Sequence, residues 1–222
     1  MIIDKLKQYD FVVFDCDGVI LDSNEMKSEA FAQSLRGESD ELIEQFIAYH
    51  KSNGGISRYK KIDYFFHQIK KETKNVEQQI ADTLDKYSAI VKKGLNECSY
   101  IAGVIETIKT LQQENIPLYV VSGSDEEELN QVFHDRGIKK QFKEIYGSPK
   151  TKIENLEKIQ KSRGNLANGV VLGDSKSDML AAEFYNLDFM YIHEKSEWKS
   201  GKHVVTSKGY SMYKNFLDMF SI

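Results

Sequence analysis

The chain has 222 residues, 41% of them hydrophobic and 29% charged, which fits a folded protein with an adequate core, either one large domain or one domain with an insert. Its net charge of -4 excludes the basic surface of a general nucleic-acid binder, and no run approaches the about 18 apolar residues of a membrane span. Two cysteines, Cys16 and Cys98, form neither a metal-type spacing nor a disulfide framework and suit a reducing compartment; residues 1–7 hold no long apolar stretch, so no signal peptide is expected and the cytoplasm is the expected location.

Phe11, Val12, Val13 and Phe14 read as a buried strand, and Asp15 and Asp17 stand at its end with Gly18 behind them. Paired carboxylates there are costly unless something positive, usually a metal ion, shares the site. Residues 24–98 are rich in Lys, Glu, Gln and Tyr, carry helical patterns without a convincing buried strand, and are interrupted by Gly54 and Gly55. They read as an all-helical insert. Val104, Ile105, Ile108 and Leu111 then predict a helix over 103–115. A strand is expected at 118–121, ending at Ser122 and Gly123, and a helix over 125–136 opens on acids that favour a helix N-terminus. Further on come a weak strand at 144–147, a helix at 150–163, a buried strand at 169–172, a helix at 176–186 and a strand at 188–192. Strands alternating with helices give an α/β fold, a doubly wound, Rossmann-like parallel sheet covered on both faces. The expected division is a core of residues 1–23 and 99–222 with the helical insert, 24–98, between its two parts.

In an open parallel sheet, ligands bind beyond the C-terminal strand ends. Three of those ends are polar here: Asp15 with Asp17, Ser122 with Gly123, and Asp174 with Asp178. Lys150 and Lys152 stand near the start of the helix at 150–163. Acids, a lysine, a small hydroxyl and backbone amides suit a metal and a phosphate, and oxygen ligands of this kind suit Mg²⁺.

Four short motifs occur in order: Asp15-Cys16-Asp17-Gly18-Val19, Ser122 after an apolar run, a lysine at 150 or 152, and Gly173-Asp174-Ser175-Lys176-Ser177-Asp178. With them the chain resembles, over nearly its whole length, the haloacid dehalogenase superfamily, in the phosphoglycolate phosphatase and beta-phosphoglucomutase-like branch with a helical cap. The resemblance implies Asp15 as nucleophile, forming an aspartyl-phosphate that water hydrolyses. It implies Mg²⁺ held by the Asp15 carboxylate, the Asp17 carbonyl and Asp174, with Asp178 assisting. The Asp17 side chain would protonate the leaving oxygen and later activate water; Ser122, the Gly123 amide and the lysine would hold the phosphoryl group. Lys152 is preferred to Lys150 because such a lysine usually sits just inside its helix. Asp22 and Ser23 are read as hinge or N-cap residues, Ser124 and Ser175 as turn residues, and Cys16 as pointing away from the site.

An acid at position 17 points to phosphate esters rather than carbon–halogen bonds, since an alkoxide leaving group needs a proton. The insert stands where this superfamily places a cap that closes over the site and selects the substrate. Within it, Gly54-Gly55-Ile56-Ser57-Arg58 is similar to a specificity loop whose arginine binds a distal phosphate, which makes Arg58 a candidate specificity residue, with Lys51, Lys60 and Lys61 adding positive potential. The expectation is a Mg²⁺-dependent phosphatase of a small phosphorylated metabolite, sugar phosphates included, working as a monomer or weak dimer without nucleic acid or membrane. A phosphohexomutase is the alternative, weakened because Lys27 stands where such mutases carry a histidine. A non-catalytic binding protein on this fold is the third reading.

Overall fold

Strand β1, Phe11–Phe14, explains the layering of the molecule. All four residues are buried, and alternate side chains enter different cores: Val12 and Phe14 join one apolar cluster, Phe11 and Val13 the other. Strand side chains alternate between faces, so a strand apolar at every position belongs inside a sheet covered on both sides. The computed structural model describes residues 3–163 and 168–219.

A short helix α1, Ile3–Leu6, leads into β1. After β1 the chain runs through helices alone before returning to the sheet: α2 (Asn24–Ser34), α3 (Asp40–Ser52), α4 (Arg58–Tyr64), which widens into a π-helical turn over Phe65–Ile69, and α5 (Val76–Glu97). Ser39 and Ser57 cap α3 and α4, each hydroxyl accepting a backbone amide three residues on. These helices pack on aromatic side chains. Phe31 stacks on Tyr87 at 4.0 Å between ring centres and meets Phe46 edge-on at 5.3 Å.

The rest alternates as the sequence predicts: α6 (Val104–Gln113), β2 (Leu118–Asp125), α7 (Glu126–Asp135), β3 (Glu144–Ser148), α8 (Lys152–Arg163), β4 (Gly169–Gly173), α9 (Lys176–Phe184) and β5 (Asp188–Ile192). Then come α10 (Gly201–Ser207) and β6 (Ser211–Tyr213). The fold is α/β, a six-stranded parallel sheet in the order β3-β2-β1-β4-β5-β6. Strand order reverses at β1, so the crevice beyond its C-terminal end is the switch point where ligands bind.

Three elements of this half differ from expectation. β2 continues past Val121 to Asp125 because, after an irregularity, Asp125 pairs with Ser148 of β3. α10 and β6 were not foreseen; β6 is three half-buried residues at the sheet edge, too short to show an alternating pattern. No described helix is long and apolar enough to cross a membrane.

Candidate active site

Asp15 is the first residue after β1, and its backbone amide still donates to Leu172 of β4 at 2.9 Å. The chain then turns sharply: the Gly18 amide donates to the Leu21 carbonyl at 2.8 Å, and the Ile20 and Leu21 amides donate to the Cys16 carbonyl. Gly18 adopts φ 73°, and a side chain there would strike the Asp174 carboxylate. This turn lets Asp174, at the end of β4, sit against the β1 end. The Cys16 side chain lies in the apolar core, away from the site as expected.

Asp178, in the first turn of α9, completes a trio. One carboxylate oxygen from each of Asp15, Asp174 and Asp178 lies within 4.8 Å of the others, and all three residues are buried. Lys152 enters from the start of α8, its Nζ 3.0 Å from Asp15 Oδ1 and 2.5 Å from Asp178 Oδ1. Lys150 is exposed. Asp178 Oδ2 accepts from the Ser175 amide at 3.1 Å and from the Ser175 hydroxyl, and Asn24 Nδ2 donates to Asp174 at 2.7 Å.

Three buried carboxylates therefore face one ammonium. Burial, and then the negative charge of Asp178, pushes the Asp15 carboxyl up to about 7 despite Lys152. Burial, then Asp15 and Asp178, also raises Asp174 well above the usual carboxylate range. Asp15 Oδ1 is buried without a hydrogen bond, since the Lys152 contact has ion-pair distance but not hydrogen-bond geometry. A divalent cation would cancel the charge excess, and an all-oxygen donor set with few carboxylates fits Mg²⁺.

Asp17 faces the other way. Its carboxylate accepts from Ser23 at 2.5 Å, from Lys27 at 2.7 Å and from Ser124 at 2.7 Å. Burial alone would raise its pKa, but Lys27 and these hydrogen bonds outweigh it and hold the carboxyl down at about 2. Ser122 is buried below, accepting the Ser124 amide at 3.1 Å, and Gly123 lines the cavity.

Helices α2 to α5 and the loop before α4 roof this site. Gly123 meets the Gly55 carbonyl so closely that a Cβ at 123 would overlap the Gly55 backbone. The cavity beneath is about 70 Å³ and is lined by Asp15 and Asp174 below and by His50, Arg58 and Lys61 above. Arg58 reaches this wall, but its guanidinium is engaged by both Glu128 oxygens and by Ser88, and it lies over the Tyr87 ring.

The structure thus brings Asp15, Asp174, Asp178 and Lys152 together, sets Asp17, Ser122 and Gly123 around them, and commits Arg58 to a carboxylate. Sequence reasoning missed the Asp17 cage. Ser23 occupies the N-cap position of α2 but makes no side-chain cap; its hydroxyl serves Asp17, and Ser124 does the same rather than merely shaping a turn. Lys27 stands four residues after Ser23, one turn along the same helix face, and that spacing was the available signal. Asn24, which donates to Asp174, and Glu197, which lines the cavity, were also unforeseen.

Comparison with known proteins agrees with this geometry. The family model for haloacid dehalogenase-like hydrolases matches residues 12–192. A protein named phosphoglycolate phosphatase from Photobacterium profundum is 22% identical over 189 residues, covering 80% of this chain and 82% of its own. Among solved structures, a predicted phosphoglycolate phosphatase from Haemophilus somnus 129pt superimposes with a TM-score of 0.75 at 18% identity, covering 96% of this chain and 97% of that one. A predicted phosphatase from Clostridium acetobutylicum gives 0.73 at 19% identity, with 96% of each chain covered. The chain belongs to the haloacid dehalogenase-like hydrolases.

Proposed function

We propose that this hydrolase is a Mg²⁺-dependent phosphatase of a small phosphorylated metabolite, with Asp15 as the nucleophile. The observation that carries the reading is the buried trio of Asp15, Asp174 and Asp178 opposed, among the described residues, by Lys152 alone. The curated relative named phosphoglycolate phosphatase supports the same reaction class.

In this reading the carboxylates of Asp15, Asp174 and Asp178 and the main-chain carbonyl of Asp17 hold the metal. When bound, Mg²⁺ supplies the charge neutralisation that lets a carboxylate approach an anionic phosphate. An Asp15 oxygen attacks phosphorus, the ester P–O bond breaks, and the leaving oxygen takes a proton. Lys152, the Ser122 hydroxyl and the Gly123 amide hold the phosphoryl oxygens as charge redistributes. Water then attacks the phosphorus of the aspartyl-phosphate, giving its proton to Asp17, and releases inorganic phosphate and the Asp15 carboxylate. The Lys27-paired Asp17 is already ionised and can accept that proton, but a carboxylate held so low is a weak base until the pair loosens. As the acid of the first step it has to gain a proton against Lys27, so substrate entry must loosen that pair.

Residues 24–98 act as the cap on a core of 1–23 and 99–222, and the contact of Gly55 with Gly123 is its closed position. Arg58 could serve a second anionic group only by exchanging Glu128 for substrate. Position 27 gives the mutase alternative less support, because its ammonium is already spent on Asp17.

Phosphate release from p-nitrophenyl phosphate and a panel of small phosphate esters, with Mg²⁺ and with EDTA, tests the proposal. We expect Mg²⁺-dependent release, and a loss of at least roughly three orders of magnitude in turnover for Asp15→Asn. No release from any ester, or near-normal turnover of the variant, would overturn it.

A further inference from the structure

The buried cations in and beside the cavity are unequally partnered. Lys27 and Arg58 on its wall pair with Asp17 and Glu128, and Lys152 beside it pairs with Asp15 and Asp178. Lys61, 3% exposed, has no carboxylate within ion-pair distance among the described residues. Its Nζ donates to His50 Nδ1 at 2.8 Å and lies 3.4 Å from the His50 carbonyl. With Nδ1 accepting, the neutral His50 ring carries its proton on Nε2. That atom is buried without a hydrogen-bond partner, in a residue 8% exposed. The nearest carboxylate, Glu197, stops 3.8 Å away and is occupied by Lys51 at 3.1 Å and Ser28 at 3.0 Å.

A buried lysine with no carboxylate partner, beside an orphaned donor, is an expensive arrangement for a protein to keep without a ligand. Burial, the largest cause, holds Lys61 down to about 7, and an arriving anion would restore its charge. Both groups line the same small cavity as Asp15, so one short molecule can reach both ends.

We propose that Lys61 and His50 form the binding site for a second anionic group of the substrate, a carboxylate or a second phosphate, at the cap end of the cavity. The substrate class is then a short phosphate monoester with a negative charge at its far end. The assignment rests on the phosphatase reading above, and it moves the specificity contact from Arg58 to the cation that has no partner.

The test compares kcat/KM for phosphoglycolate, ethanediol bisphosphate and ethyl phosphate in the wild-type, Lys61→Met and Lys61→Arg proteins. One charge-assisted hydrogen bond is worth about tenfold to a hundredfold in binding. The wild type should prefer at least one doubly anionic ester over ethyl phosphate by at least about tenfold, and whichever is preferred identifies the second group. Lys61→Met should abolish the preference through KM, and Lys61→Arg should keep most of it. No wild-type preference, or a loss in Lys61→Met spread equally over all three esters, overturns the proposal. If no ester is hydrolysed, the phosphatase reading fails, and calorimetric titration of phosphoglycolate and the bisphosphate decides the site by itself. Binding of at least one that is about tenfold weaker to Lys61→Met upholds it, and equal binding of both overturns it.

Discussion

Replacing Asp15 by Asn should change how stability depends on pH, by an amount that follows from the crowding of the trio. The Asp15 carboxyl is raised from 3.8 to about 7, first by burial and then by Asp178. A carboxyl whose folded pKa lies above its unfolded value binds more protons when folded. Its contribution to stability is complete below the unfolded pKa and is lost as pH rises through the folded one. Between about pH 5 and about pH 8 that loss comes to about 2.5 kcal/mol, or about 5–10 °C in Tm for a chain of this size. His50 and Lys61, both held low chiefly by burial, drive the wild-type curve the opposite way, so the informative quantity is the difference between wild type and variant. In EDTA, Asp15→Asn should gain about 2.5 kcal/mol on the wild type over that range. Relief of Asp174, which Asp15 also raises, adds in the same direction. Mg²⁺ should favour the wild type, by about 2.7 kcal/mol at a hundredfold excess over its Kd. Thermal or urea unfolding of both proteins at the two pH values reads this out. A wild-type-to-variant gap independent of pH in EDTA would mean that the trio is not the crowded group described here.

Three further outcomes follow from single contacts. Lys152→Met should abolish most turnover while Lys150→Met leaves it within about twofold, since Lys152 touches Asp15 and Lys150 is exposed; steady-state phosphate release with both variants would show equal losses if the choice between them is wrong. Lys27→Met strands a buried carboxylate and should cost about 3 kcal/mol near neutral pH. Because Lys27 holds Asp17 at about 2, the gap to wild type should shrink as pH falls below the unfolded value of Asp17, and acid titration of both proteins that keeps the gap constant would reject the pairing. Gly123→Ala puts a methyl group against the Gly55 backbone, so kcat/KM should drop about tenfold through imperfect closure with little change in Tm; unchanged kinetics would show that the two loops do not need to meet.

The sheet was legible because its signals are local. Residues 188–192 form β5 as expected, and β1 and β4 announce themselves as continuous apolar runs that only a doubly covered sheet can absorb. The polar residues at those strand ends were legible for the same reason, since topology alone brings Asp15 and Asp174 together. Partnerships across the fold were not. Lys27, His50 and Lys61 sit on three separate helices among ordinary surface-type residues, and a lysine in a helix reads as solvated until the packing shows its ammonium enclosed. Arg58 shows the converse. Its motif was readable, but Glu128, seventy residues away, takes up its charge.

The meeting of Gly55 with Gly123 has a wider bearing. At this one point the roof seats on the sheet through main chain, beside side-chain pairs such as Arg58 with Glu128, so this contact carries little chemical information of its own. Residues on the underside of that roof are then free to be exchanged without spoiling it. On the function proposed above, the floor can then serve one reaction while the ceiling decides which molecule undergoes it.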